Sequence, residues 1–172
     1  MEYSDIINFH GHECPGLAMG YRMAKAGMEA LNAIRSEDEE IVAIVENDAC
    51  GVDALQCVTG CTFGKGNLVF RDYGKQVYTL YSRNTGEGVR ISFHGRGLHE
   101  NIREDRNTRI EQLLKASESD LMTISQVKID EQEPARIHAS VICEMCGERV
   151  METRVRVVDG KNICIPCSSL YI

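Results

Sequence analysis

Four cysteines near the end of the chain have the spacing of a closed metal site. Cys143-Glu-Met-Cys146-Gly147 is followed by 16 residues and then by Cys164-Ile-Pro-Cys167. Two residues between cysteines let a tight turn aim both sulfurs at one cation, and two such turns supply the four tetrahedral ligands of structural zinc. Between the pairs, Thr153–Val158 and Asn162–Ile165 are expected to form a hairpin around Asp159-Gly160, a favoured turn dipeptide. A unit this short, with few large apolar groups, needs metal to hold a core. The competing reading, a pair of redox dithiols, lacks the βαβ context of such motifs.

The second set of chemistry-bearing residues lies at the front. Phe9-His10-Gly-His12-Glu-Cys14-Pro-Gly16 puts two imidazoles and a thiol at alternate positions, which project to one side of an extended chain. Cys14 also stands at the probable N-cap of a helix, where the backbone dipole favours thiolate. A thiolate with two imidazoles suits zinc, iron, cobalt, nickel or copper better than magnesium or calcium. Further on, Asp48-Ala-Cys50-Gly-Val-Asp53 precedes Cys57, and Gly60-Cys61-Thr62-Phe-Gly64-Lys65-Gly66-Asn67 forms a glycine-rich stretch. That stretch fails as a nucleotide P-loop, because it is one residue short and Gly66 stands where Ser or Thr would hold Mg²⁺. Exposed backbone N–H groups beside Lys65 could still receive an anionic substrate, or the stretch could be a turn into the next strand.

The expected elements are a helix over Pro15–Ile34, a buried strand over Ile41–Val45 and a short helix over Val52–Thr59. Strands over Asn67–Arg71, Gln76–Tyr81 and Val89–Phe93, a charged helix over Asn101–Ala116 with Ile102 in its apolar stripe, and a strand within Leu121–Ile129 complete the first part. Gln132-Glu-Pro134 reads as a connector. The fold class is therefore α+β, a mixed core domain over residues 1–135 with a treble-clef or zinc-ribbon-like finger over 136–172.

At 43% hydrophobic and 26% charged residues, the 172-residue chain has the composition of a folded protein, and its net charge of −7 argues against broad nucleic-acid binding. No apolar run is long enough for a membrane span. The N-terminus does not read as a signal peptide, so a cytoplasmic setting with reduced thiols is expected.

His10-Gly-His12-x-Cys14-Pro-Gly16, Asp48-x-Cys50-x-x-Asp53-Ala54 and Gly60-Cys61-Thr62-x-Gly64-Lys65-x-Asn67-Leu68 together resemble the E-subunit family of formylmethanofuran dehydrogenase. The resemblance continues through Asp72-x-Gly74-Lys75 and Ser140-Val-x-Cys143-x-x-Cys146-Gly-Glu148. It implies an α+β core, often dimeric, followed in some members by a zinc finger. It also implies a link to the molybdenum or tungsten oxidoreductase of methanogenesis, as an accessory or enzymatic subunit without the pterin. On this reading His10, His12, Cys14 and Cys61 are the core metal ligands, with Cys50 in reserve and Cys57 a buried thiol. Cys14, Cys61, Lys65 and Asp53 are the candidate catalytic residues. Asp48 and Asp53 would orient a ligand or move protons, and Lys65 would neutralise substrate charge. The cofactors expected are structural zinc in the tail and a second transition metal in the core. The expected partners are a second copy of the chain and dehydrogenase subunits or another protein. The alternative function is non-catalytic metal sensing or interaction through the finger. There Arg149, Arg154, Arg156 and Lys161 permit nucleic-acid contact, although protein contact is favoured.

Overall fold

A computed structural model describes residues 1–98, 105–129 and 133–169. The chain divides into two compact units, Met1–Ala135 and Arg136–Ile172. The first unit is a mixed α+β core and the second a cysteine-rich finger.

In the first unit, α1 (Tyr3–His10) and α2 (Pro15–Ala30) precede β1 (Ile41–Val45), α3 (Gly51–Thr59), β2 (Leu68–Phe70), β3 (Val77–Ser82) and β4 (Gly88–Phe93). Then follow α4 (Arg106–Lys115), the single-turn α5 (Glu118–Leu121) and β5 (Met122–Val127). The helix expected from Asn101 begins at Arg106; Asn101 to Glu104, with Ile102, and the connector residue Gln132 lie outside the described residues. The strands form one sheet in the order β2-β1-β3-β4-β5. Only β1 and β2 run parallel, with Ala43 opposite Leu68 and Val45 opposite Phe70, while the other neighbours are antiparallel.

All five residues of β1 are buried, as a continuous apolar run demands. Ala43, Val45, Tyr78, Leu80, Val89 and Ile91 share one core with Ala18, Met23, Ala24 and Met28 of α2. Helix α2 starts where Pro15 can lose its N–H without cost, and the Cys14 sulfur accepts from the Leu17 N–H at 3.3 Å as its cap. The Arg22 guanidinium donates to the carbonyls of Leu113, Leu114 and Ala116 at 2.7–2.8 Å. A cation thereby satisfies the open C-terminal end of α4.

Helices α2 and α3 cross where Gly20 meets Gly51 backbone to backbone. A Cβ on Gly20 would overlap Gly51, lying 2.7 Å from its carbonyl carbon. This close approach holds Cys50, at the head of α3, against Cys14, at the head of α2.

In the second unit, β6 (Ser140–Ile142) pairs with β7 (Arg149–Met151), and β8 (Val155–Val158) with β9 (Lys161–Cys164), which leads into the short α6 (Ile165–Ser168). Asp159 and Gly160 both have positive φ, 49° and 76°, the pair required by a tight primed hairpin turn.

Candidate metal centre

The four tail sulfurs converge. One ligand atom from each of Cys143, Cys146, Cys164 and Cys167 lies within 4.8 Å of the others, and the Cys146 and Cys164 sulfurs are 4.0 Å apart. Thiolates on one tetrahedral zinc, each ~2.3 Å from it, lie about 3.8 Å apart, so the sulfurs are already close to that spacing. Backbone N–H groups of Cys146 and Cys164 push the Cys143 thiol down to about 6, and the Cys164 N–H lies 3.3 Å from its sulfur. The bond with Cys164, burial and the other sulfurs push Cys167 up to about 12. Crowded thiols cannot all ionise unaided, whereas a divalent cation reverses that penalty. The donor set therefore fits zinc.

In the core, His10, Cys14 and Cys50 bring their ligand atoms within 4.8 Å of one another. Asp53, one turn into α3, holds the His10 Nδ1 at 2.7 Å and accepts from Gln56 Nε2 at 3.3 Å. With Nδ1 engaged, His10 is left with Nε2, which is buried and has no hydrogen-bond partner among the described residues. A carboxylate on one ring nitrogen with the second left open is the arrangement by which proteins orient a metal-binding imidazole, and here that ring is gathered with two sulfurs. Burial, the neighbouring Cys14 sulfur and the Asp53 charge push the Cys50 thiol up. The hydroxyls of Tyr3 and Tyr78 are also buried, with no hydrogen-bond partner among the described residues. Burial raises both phenols, with Glu13 and Cys14 adding to the shift at Tyr3, and Asp53 and Cys50 at Tyr78.

This set differs from the expected one in three respects. Residues 10–14 are not an extended strand: His10 is the last residue of α1, and Gly11 turns the chain at φ 90°. His12 is exposed, its ring centroid 4.5 Å from that of His10, and it is not one of the three gathered residues. Cys61 is elsewhere, fully buried in the main core with its thiol donating to the Ile41 carbonyl at 3.2 Å. Burial pushes that thiol up to about 11, the reverse of a thiolate environment.

The physical reason is that α3 separates the two cysteines. Cys50 stands just before its start and Cys61 just after its end, about 14 Å away at 1.5 Å per residue. Gly60 closes the helix at φ 76°, so Cys57 and Cys61 share no helical face.

Lys65 travels with Cys61. Its ammonium donates to the Glu37 carbonyl at 3.2 Å, near the amino end of β1. The glycine-rich stretch is a brace: fully buried Asn67 accepts from the Thr62 N–H and donates to the carbonyls of Asp38 and Ile41, at 2.9–3.0 Å. Asp48 is exposed, and Cys57 is half-buried beside the small cluster of Ile6, Cys14, Leu17 and Ala54. Cys50 stands at the N-terminus of α3 as Cys14 does at that of α2, a parallel that would have ranked it above Cys61.

Comparison with known proteins agrees with this two-part layout. The family model described as FmdE, molybdenum formylmethanofuran dehydrogenase operon, matches residues 9–133. That of the prokaryotic dksA/traR C4-type zinc finger matches residues 138–171. The chain is similar to the crystal structure of an FmdE-like protein of tungsten formylmethanofuran dehydrogenase type from Syntrophus aciditrophicus. The TM-score is 0.75 and the identity 27%, over 98% of this chain and 92% of that one. It is also 31% identical, over 95% of its length, to a protein of Archaeoglobus fulgidus named probable S-adenosyl-L-methionine-binding protein. The chain spans only 51% of that relative. Among the described residues no helix is long and apolar enough to cross a membrane. A core that carries the matched motifs across residues 9–133, followed by a four-cysteine finger, makes this chain a member of the FmdE family with a C4-type zinc finger at its end.

Proposed function

We propose that the core unit holds one transition-metal ion at His10, Cys14 and Cys50, and that the protein serves as an accessory or enzymatic subunit in molybdenum- or tungsten-linked one-carbon metabolism. One observation carries the metal assignment: the His10 ring is gathered with the sulfurs of Cys14 and Cys50, its Nδ1 is held by Asp53, and its Nε2 is buried with no hydrogen-bond partner among the described residues. An imidazole and two thiols suit zinc, iron, cobalt, nickel or copper. His12 stands close enough to His10 to be a fourth ligand after a side-chain rotation. Bound there, the metal would act as a Lewis acid toward a small substrate. Asp53 keeps the imidazole in its binding orientation, and Cys14 is held by the Leu17 N–H at the head of α2. The tail would take one structural zinc at its four cysteines. The family match supports association with dehydrogenase subunits, and the same proposal makes the protein a cytoplasmic homodimer.

Elemental analysis of protein purified without oxygen tests the metal assignment. Wild-type protein should carry two metals per chain. Cys14→Ser and Cys50→Ser should each lose one while the tail zinc stays, and unchanged metal content in both variants refutes the site. Light scattering should give twice the 19.2 kDa chain mass; a monomer across micromolar concentrations removes the dimer.

The name of the Archaeoglobus relative supports a second reading, in which the core binds S-adenosyl-L-methionine. Equilibrium dialysis with the labelled compound decides it, and absence of binding at millimolar ligand rules it out.

A further inference from the structure

The loop between β2 and β3 has a position dictated by topology. Strands β2 and β3 flank β1 on opposite sides, and β2 runs parallel to β1 while β3 runs antiparallel. The connection must therefore pass over the carboxyl end of β1, where the chain leaves toward Cys50. Hydrogen bonds record the crossing: the Arg71 N–H donates to the Val45 carbonyl at 2.9 Å and the Lys75 N–H to the Glu46 carbonyl at 3.0 Å. Asn47, only 6% exposed, ties the two segments together. Its amide nitrogen donates to the Lys75 carbonyl at 2.5 Å, and its oxygen accepts from the N–H of Ala49, the residue before Cys50, at 3.0 Å.

All five residues of this loop, Arg71-Asp-Tyr73-Gly-Lys75, are exposed. Among the described residues neither Arg71 nor Lys75 has an ion-pair partner. The loop carries a net charge of +1 in a chain of −7, even with Asp72 between the two cations. Asp48 is exposed on the turn below, so the cations act locally and not as a broad positive field. Lys65 cannot serve here, because it is anchored near the amino end of β1.

We infer that Arg71 and Lys75 form the anion subsite of the Cys50 centre. The substrate they receive is a small anion, a carboxylate or a phosphate, presented to the sulfur end of the site. Asn47 is the positioning residue that keeps the loop over the turn leading to Cys50. This inference rests on the proposed substrate role of the core site, but its test does not depend on metal content.

The test compares alkylation of Cys50 by iodoacetate and by neutral iodoacetamide in the full-length reduced protein, read by peptide mass mapping. Their rate ratio cancels differences in thiolate availability and in protection by bound metal. Where Cys50 is shielded from both reagents, the ratio is read in a Cys14→Ser background. Removing a cation near the sulfur should lower the ratio roughly two- to threefold, so Arg71→Gln with Lys75→Gln should lower it roughly four- to ninefold. Asp72→Asn should raise it. The wild-type preference should fade as salt rises. Competition by phosphate or by acetate at matched ionic strength identifies the headgroup. A ratio unchanged in the double variant, or competition by neither anion, overturns the subsite. The metal assignment stands or falls separately on the elemental analysis.

Discussion

Replacing Gly20 by Ala tests whether the helix crossing builds the core site. On propensity alone, Ala in mid-helix should stabilise α2 by about 1 kcal/mol. The structure predicts the opposite. The new Cβ would overlap the Gly51 backbone, with 2.7 Å to its carbonyl carbon, and a non-bonded carbon pair needs ~3.5 Å. No side chain can rotate away, so α2 and α3 must part by roughly 1 Å. Overpacking costs about 1–3 kcal/mol, and a clash with backbone belongs to the upper part of that range, about 2–3 kcal/mol, so after the propensity gain of about 1 kcal/mol a net loss of about 1–2 kcal/mol remains. For a unit of this size the melting temperature should fall by about 3–6 °C. Cys50 adjoins Gly51, so the same displacement should also open the His10–Cys14–Cys50 cluster and weaken core metal binding. Gly27→Ala is the control on the same helix. Its Cβ would meet only the flexible ends of Ile91 and Leu80, at 2.7 and 2.9 Å, so its cost should be smaller with the core site unchanged. The assay is thermal and urea unfolding of both variants, alongside metal content. A Gly20→Ala protein as stable as Gly27→Ala, with its core metal intact, would refute the reasoning.

Four further outcomes are expected. Cys146→Ser should release about one zinc per chain and expose the finger to protease while the first unit keeps its unfolding transition, since structural zinc contributes on the order of 10 kcal/mol to such modules; limited proteolysis with metal analysis checks this. Asp53→Asn should weaken core metal binding about 10- to 100-fold by releasing the His10 ring, a change measured by competition with a chelator. Asn67→Ala should destabilise the first unit by about 1–3 kcal/mol in urea unfolding without changing metal content, because it leaves the Thr62 N–H without its partner and takes one of two donors from each of the Asp38 and Ile41 carbonyls. Glu40 accepts from the Ser36 hydroxyl and from backbone N–H groups, which hold its carboxyl down at about 2 from an ordinary 4.5. A depressed acid stabilises the fold in full above pH 4.5 and loses that contribution as pH falls through about 2. The stability advantage of wild type over Glu40→Gln should therefore be constant near neutrality and shrink below pH 4.5; an advantage independent of pH from 7 to 2 would contradict it.

Much of this protein is local and can be read from neighbouring residues. The two pairs Cys143/Cys146 and Cys164/Cys167 need only tight turns to converge, and Asp159-Gly160 specifies the hairpin that joins them. Ile41–Val45 is a buried strand because nothing else suits five apolar, largely β-branched residues. Cys14 and Pro15 mark the head of α2 by capping chemistry alone. What the sequence could not decide was which distant cysteine joins His10 and Cys14. Cys50 and Cys61 both lie in family motifs beside glycines, and motif membership carries no distance. Helix α3 decides between them, because its rigid rise places one cysteine at each end. The Gly20–Gly51 approach then draws the Cys50 end against α2, while the Ile41 carbonyl fixes Cys61 at the start of β1. That choice belongs to tertiary structure because it depends on how closely two backbones pack, a contact between residues far apart in the chain.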